Sequence, residues 1–383
     1  MDTKALLSRL IAFDTVSRNS NLELIDFVAD YLDGLGIATQ RVFDETGAKA
    51  NLVATIGPAD VGGIILSGHT DVVPVDGQEW TSDPFQAVIR DDRLCGRGSA
   101  DMKGFIASVC ARVPAMLAAP LARPFVIALS YDEEVGCLGV RRLLAQMAQW
   151  PVKPIGCVVG EPTEMQVVIG HKAKRSLRVT IDGTAAHSSL APQAVNAVEY
   201  GARLTVYIQD MGRRLAREGR RDPLYDVEHT TAHVGVLRGG QALNIVPERC
   251  VLDFELRALP EDDVDTFVDS IKAHAAQVLE PEMQAIAPQT GITFELLSGF
   301  PGLSTAPTDG FVGRLKRLVG RADHGKVAFG TEAGLFTQTI GVPAVVCGPG
   351  SIAQAHRADE YVELAQLERC DAFIDDLIDS CRA

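Results

Sequence analysis

Ile64-Ile65-Leu66-Ser67-Gly68-His69-Thr70-Asp71 is a compact apolar run that passes straight into polar residues. It reads as a buried strand carrying candidate functional groups at its end. The same device recurs along the chain. Phe125-Val126-Ile127-Ala128-Leu129 ends in Tyr131-Asp132-Glu133-Glu134, and Cys157-Val158-Val159 ends in Gly160-Glu161-Pro162-Thr163. Ala344-Val345-Val346-Cys347 leads through Gly348-Pro349-Gly350 toward His356. Continuous apolar strands separated by helical segments predict an α/β fold with a mostly parallel sheet covered on both faces. In such sheets, ligands gather beyond the carboxyl ends of the strands.

One further acid belongs with these strand ends. Gly96-Arg97-Gly98-Ser99-Ala100-Asp101-Met102-Lys103-Gly104 sets glycines on both sides of Asp101, and the apolar run Phe105–Leu117 follows. Glycine allows tight backbone, so this segment can present Asp101 at the mouth of a helix. Pro114 is expected to kink that helix or end it early. His69 and Asp71, at i and i+2 on extended backbone, point the same way. A metal-bound imidazole needs its second ring nitrogen held, so Asp71 either orients His69 or is a near neighbour. The side chains of Glu133 and Glu134 diverge, so one can ligate while the other faces substrate as a base. Glu161 is held extended by Pro162. Asp101 with His69, Glu134, Glu161 and His356 supplies one bridging carboxylate, and one histidine plus one carboxylate for each of two ions. A small set of nitrogen and oxygen ligands leaves positions open for water, as a catalytic zinc-type site requires. His229, His274 and His324 read as structural, and His171 and His233 lean the same way.

The segment from 172 to 299 has a different texture. Alternating strands at Ser176–Ile181, Thr231–Leu237, Arg249–Arg257 and Ile292–Leu297 interleave with helices at Ala194–Gln209 and Asp262–Leu279. That βαββαβ order is ferredoxin-like. It predicts an inserted α+β domain over 172–299, splitting a first domain into 1–171 and 300–383. A chain of 383 residues also exceeds one ordinary core. The N-terminal residues up to about Gly36 carry helical periodicity, with Gly34 and Gly36 as stop signals.

The net charge of −14 argues against a nucleic-acid footprint, which needs a basic face, and gives no support for binding an acidic membrane surface. No run of about eighteen apolar residues predicts a membrane span. The eight cysteines include no CxxC pair and sit mostly in apolar surroundings, as reduced thiols of a cytoplasmic protein do.

GHTDVVPVDGQEW, GRGSADMKG, SYDEEVG, GEPT and GPGSIAQAHRADEYV together resemble the successive motifs of the M20 family of dinuclear zinc peptidases and deacylases. The resemblance covers nearly the whole chain. It implies a zinc-peptidase-like catalytic domain with a mostly parallel mixed sheet, and an inserted lid domain through which the chain forms a homodimer. It implies two zinc ions, with cobalt able to substitute: His69, Asp101 and Glu161 on one, Asp101, Glu134 and His356 on the other. It makes Glu133 the general base, Asp71 the residue orienting His69, and His187 the group that reaches the partner's site to stabilise the oxyanion. Asn244 and Arg257 match lid positions lining the substrate pocket. Gly330-Thr331-Glu332-Ala333-Gly334 resembles the branch that deacetylates amino acids, with Gly330 and Thr331 lining the pocket. Glu332, in a glycine-flanked loop, is expected to pair with a distal ammonium of the substrate. The motifs are shared by enzymes acting on other N-acyl amino acids and dipeptides. A non-catalytic scaffold of the same fold would have no need of Glu133 or the full ligand set.

Overall fold

The computed structural model describes residues 1–383. The chain forms two compact units, one of Met1–Gly170, Leu303–Lys326 and Thr331–Ala383, the other of His171–Gly302 and Val327–Gly330. The short stretch 327–330 joins the second unit although the sequence reading left it in the first.

The first unit is built on a nine-stranded mixed sheet. Four neighbouring strands at its centre, Phe125–Ser130, Ile64–His69, Gly156–Pro162 and Ala344–Gly348, run parallel. Every residue of these four is buried, which is why they read as unbroken apolar runs. Antiparallel strands Ala50–Ile56 and Thr39–Phe43 extend the sheet on one side, and Val168–His171 on the other. Because the central four are parallel, Ser130, His69, Glu161 and Gly348 arrive at one edge of the sheet. Gly160 is required where the third strand meets the helix Gly104–Ala118, since a Cβ there would lie 1.9 Å from the Phe105 ring.

Two local expectations change. The N-terminal periodicity resolves into two helices, Thr3–Ile11 and Leu22–Asp33. The segment between them is used by the sheet edge: Thr15 Oγ1 donates to the Thr70 carbonyl (2.6 Å) and Asn21 Nδ2 to Thr70 Oγ1 (2.9 Å). Pro114 does not end its helix, which runs on to Ala118. Proline frees the carbonyl four residues back, and here the Tyr31 hydroxyl donates to that Cys110 carbonyl at 3.3 Å.

The second unit has strands Ala173–Asp182, Thr231–Gly239, Arg249–Ala258 and Gly291–Phe300, with the helix Ala197–Glu218 after the first and helical turns from Val264 to Ile286 after the third. Its antiparallel sheet places the first strand between the third and fourth, and the second on the outer edge. This is the βαββαβ arrangement of a ferredoxin-like fold. Its own core includes Val179, Ile181, Leu204, Ile208, Leu252, Phe254 and Ile271.

Candidate active site

The carboxyl edge of the parallel strands gathers the five expected ligands. His69, the last residue of its strand, is 1% exposed, and its Nε2 faces Asp101 Oδ1 at 3.0 Å and Glu161 Oε1 at 3.7 Å. The other Asp101 oxygen, Oδ2, lies 3.2 Å from His356 Nε2, which is itself 3.1 Å from Glu134 Oε2. One carboxylate thus stands between two imidazoles with an oxygen toward each. Asp101 reaches this position from a turn entered through Gly98 at φ +79°, where a Cβ would lie 2.7 Å from Val72. His356 also has positive φ, at +63°, and unlike the rest keeps half its side chain in solvent.

Asp71 does more than sit behind His69. His69 Nδ1 donates to the Asp71 backbone carbonyl at 2.9 Å, while the nearest carboxylate oxygen is 3.6 Å away. That bond leaves Nε2 turned to the carboxylates. The Asp71 carboxylate is taken by the next strand end, accepting from Glu133 N (3.0 Å), Glu134 N (3.2 Å) and Ser17 Oγ (2.7 Å). It therefore sets the turn carrying both glutamates. Glu133 is gripped a second time: its Oε1 accepts from the Cys137 thiol at 3.3 Å.

The electrostatics of the cluster are those of too many acids in too little water. Burial, then the charge of Asp101, pushes Glu134 up to about 7, and the same two causes push Glu161 well above its ordinary range. Burial raises Glu133 likewise, with Glu134 and Glu332 adding to it against the pull of His69. Asp101 goes the other way: burial opposes ionisation, but hydrogen bonds from His356 and His69 outweigh it and hold the group well below its usual range. His356 is drawn up to about 10 by its bonds to Asp101 and Glu134. A cation bound here would relieve this crowding. Donor atoms of His69, Glu133 and Glu161 lie within 4.8 Å of one another, as do those of His69, Asp101 and Glu134. Glu134 Oε1 is buried without a hydrogen-bond partner, a lone pair free for such an ion. Oxygen and imidazole donors in this mixture suit a borderline divalent metal. The first of these groupings includes Glu133, which the sequence reading placed among the ligands but spared from ligation.

Glu332, expected in a glycine-flanked pocket loop, is 1% exposed, and its Oε1 accepts from Ser130 Oγ at 2.6 Å while Oε2 is buried without a hydrogen-bond partner. Thr331 is fully buried as well, its Oγ1 accepting from Ala333 N at the start of the next helix. Gly330 packs so closely on Phe300 that a Cβ would overlap the ring at 1.8 Å.

In the second unit, His187 and Asn244 are brought together. His187 bridges Ile245, Ser188 N donates to the Asn244 carbonyl at 3.0 Å, and both named side chains are exposed. His187 Nδ1 contacts Ser189 Oγ at 2.8 Å. Arg257 lies on the strand Arg249–Ala258 and donates to Glu255 Oε1 at 2.7 Å.

Sequence reasoning missed Glu360, which is 1% exposed and accepts from the amides of Gly98, Ala100 and Asp101. Its position in HRADEYV, beside His356, was the available signal.

A parallel-sheet edge carrying two imidazoles and a nest of buried carboxylates defines a metal-dependent hydrolase. The chain belongs to peptidase family M20/M25/M40, whose sequence model matches residues 65–380, and it is a hydrolase acting on amide bonds. It is 32% identical to the acetylornithine deacetylase of Photorhabdus laumondii over 98% of this chain and 96% of that one. The Pasteurella multocida acetylornithine deacetylase is also 32% identical, over 93% and 92%. Among solved structures, an M20 family metallo-carboxypeptidase of Sulfolobus solfataricus shares the fold with a TM-score of 0.78 at 18% identity, covering 99% of both chains. A tripeptidase of Staphylococcus aureus does so at 0.74 and 20%, covering 99% of this chain and 97% of that one.

Proposed function

We propose that this chain is an acetylornithine deacetylase, cleaving N2-acetyl-L-ornithine to L-ornithine and acetate as a step of arginine biosynthesis. The observation that supports it most is the 32% identity to acetylornithine deacetylases across nearly the full length of both chains. We further propose zinc as the native metal, with cobalt able to replace it. His69, Asp101 and Glu161 would hold one ion and Asp101, Glu134 and His356 the other. Bound there, such ions act as Lewis acids and lower the pKa of a coordinated water from about 15.7 toward roughly 7.

The chain's own groups do the rest. Glu133, fixed by its backbone bond to Asp71 and by the Cys137 thiol, takes the proton of the attacking water at its carboxylate. A buried carboxyl with a raised proton affinity holds that proton near neutral pH and returns it to the departing α-amine. Asn244 and Arg257 are proposed to bind substrate from the unit covering 172–299, which we assign as a lid and dimerisation domain. In the homodimer the partner subunit's His187 donates to the developing oxyanion, where a preorganised donor helps most. No helix of the chain is long and apolar enough to cross a membrane, and we place the protein in the cytoplasm.

The test is amine release by zinc- or cobalt-loaded protein from N2-acetyl-L-ornithine, beside N2-acetyl-L-citrulline and N-succinyl-diaminopimelate, with a chelated control. Fast, chelator-sensitive release with a preference for acetylornithine is the expected result. A preference for either competitor moves the assignment to that substrate.

A further inference from the structure

We infer that Glu360 is the positioning residue that locks the two halves of the metal centre to each other. The inference rests on the metal-site reading above. It starts from the small sheet in which Tyr361–Glu363 pairs with Arg93–Cys95. That pairing delivers Glu360 to the turn that ends in Asp101, although 259 residues separate them in sequence. There the carboxylate is fully used. Oε1 accepts from Ala100 N (2.9 Å) and Asp101 N (3.0 Å), and Oε2 from Gly98 N (3.0 Å) and Arg97 Nη1 (2.8 Å).

Four bonds to one buried carboxylate fix the backbone on which Asp101 is carried. The same device reaches His356. Arg97 Nη1 also donates to the Arg357 carbonyl at 3.3 Å, and Arg97 Nη2 donates to Gln78 Oε1. Gln78 in turn donates through Nε2 to the His356 carbonyl at 3.0 Å. Trp80 closes the group, with its ring 5.0 Å from the Arg97 guanidinium carbon and its Nε1 donating to Gln78. The shared carboxylate and the exposed histidine are thus hung from one ion pair. His356 has half its side chain in solvent and a positive φ. The backbone bonds from Gln78 and Arg97 hold its loop in place.

A buried salt bridge is a poor source of stability by itself, because desolvation offsets attraction. A buried pair that aims its remaining lone pairs at a ligand-bearing turn is better understood as orientation. Outer groups of this kind typically change metal affinity by about 10–100-fold when altered.

The test is the zinc dissociation constant, measured by competition with a chelator, together with the thermal midpoint of metal-free protein. Glu360→Gln keeps the shape but sets an NH2 group against backbone N–H donors. It is expected to weaken zinc binding by about 10–100-fold. Val362→Ala, which opens a cavity in the same short strand without touching these bonds, is expected to lower the thermal midpoint and leave the zinc constant within about twofold of wild type. Gln78→Ala, only partly buried, serves if Glu360→Gln does not fold, and is expected to weaken binding several-fold. Wild-type zinc affinity in Glu360→Gln, or in Gln78→Ala where that is the variant used, overturns the inference whatever the thermal midpoint does. So does equal weakening by Val362→Ala. Wild-type protein that takes up no zinc overturns the metal reading, and this inference with it.

Discussion

The acids of the two units carry opposite burdens. In the second unit several stand near the surface, each matched to an arginine. Arg178 meets Asp253 with two bonds of 2.8 Å across adjacent strands, and Arg175 meets Asp265 at 2.8 and 2.9 Å. The Arg178 bond lowers Asp253 below its ordinary range. In the first unit, Glu133, Glu134 and Glu161 are buried together and all three are pushed up, chiefly by burial. Burying charge without compensation is among the costliest things a fold can do. The contrast shows where the chain accepts that cost: at the parallel-sheet edge, where the Asp101 carboxylate stands between two imidazoles. Surface pairing of the other kind contributes little and specifies nothing about chemistry.

The sharpest way to break the comparison is at Glu133. If its burial serves proton transfer, Glu133→Gln should lower kcat by roughly 10²–10⁴-fold while two metal equivalents remain bound. Kinetics alongside metal analysis decide it. Full turnover in the metal-replete variant would reduce Glu133 to one more crowded carboxylate.

The next effect concerns a buried base in the other unit. His171 is fully buried, its Nδ1 3.1 Å from the Lys172 carbonyl, and burial pulls it from 6.5 down to about 4. A depressed folded-state pKa means that the unfolded chain binds the proton first. The contribution is therefore complete above pH 6.5 and is lost as pH falls toward 4, by roughly 3 kcal/mol across that window. Denaturant unfolding of wild type and His171→Leu at pH 7 and pH 4 checks this, wild type losing more. A pH-independent difference would show that His171 protonates alike folded and unfolded.

How much of this was readable in advance depended on distance along the chain. Candidate ligands such as His69 and Glu161 announced themselves because an apolar strand and the polar residue at its end are neighbours in sequence, and parallel pairing then brings the ends together. Cooperation across long separations left no such mark. Glu360 looked like one of two adjacent acids in Arg357-Ala358-Asp359-Glu360, and its carboxylate role depends on a pairing with Arg93–Cys95 that is remote in sequence. Glu332 shows the same limit. Flanking glycines marked a loop, but the bond from Ser130, on a strand some 200 residues earlier, is disclosed only by the fold. Asp71 was placed correctly beside His69, but only coordinates show that its carbonyl serves the imidazole and its carboxylate serves the glutamates.

A smaller effect refines the first unit's side of the contrast. Cys137 adopts positive φ (+56°), is fully buried, and donates its thiol to Glu133. Cys137→Ala and Cys137→Ser leave nearly equal space and share the backbone cost, but only serine keeps a donor. Alanine is expected to lower kcat several-fold with KM unchanged, roughly the worth of one ordinary hydrogen bond, and serine to recover most of it. Equal rates in the two variants would assign Cys137 to packing alone.

The smallest effect lies on the surface of the second unit, and it tests whether matched acids there are as inconsequential as their exposure implies. Arg178 and Asp253 face each other directly across two strands, with side chains 44% and 21% exposed. Two parallel bonds give this pair better geometry than most surface pairs, so it is a demanding case. Water and salt nevertheless screen it, and ordering two long side chains opposes the attraction. Arg178→Ala should shift the thermal midpoint slightly at low ionic strength and not measurably in high salt, with kcat unchanged in both. A large, salt-independent loss would mean that the pair is shielded from solvent, as a dimer contact over this sheet would shield it. The division between crowded and matched acids would then run through the second unit as well.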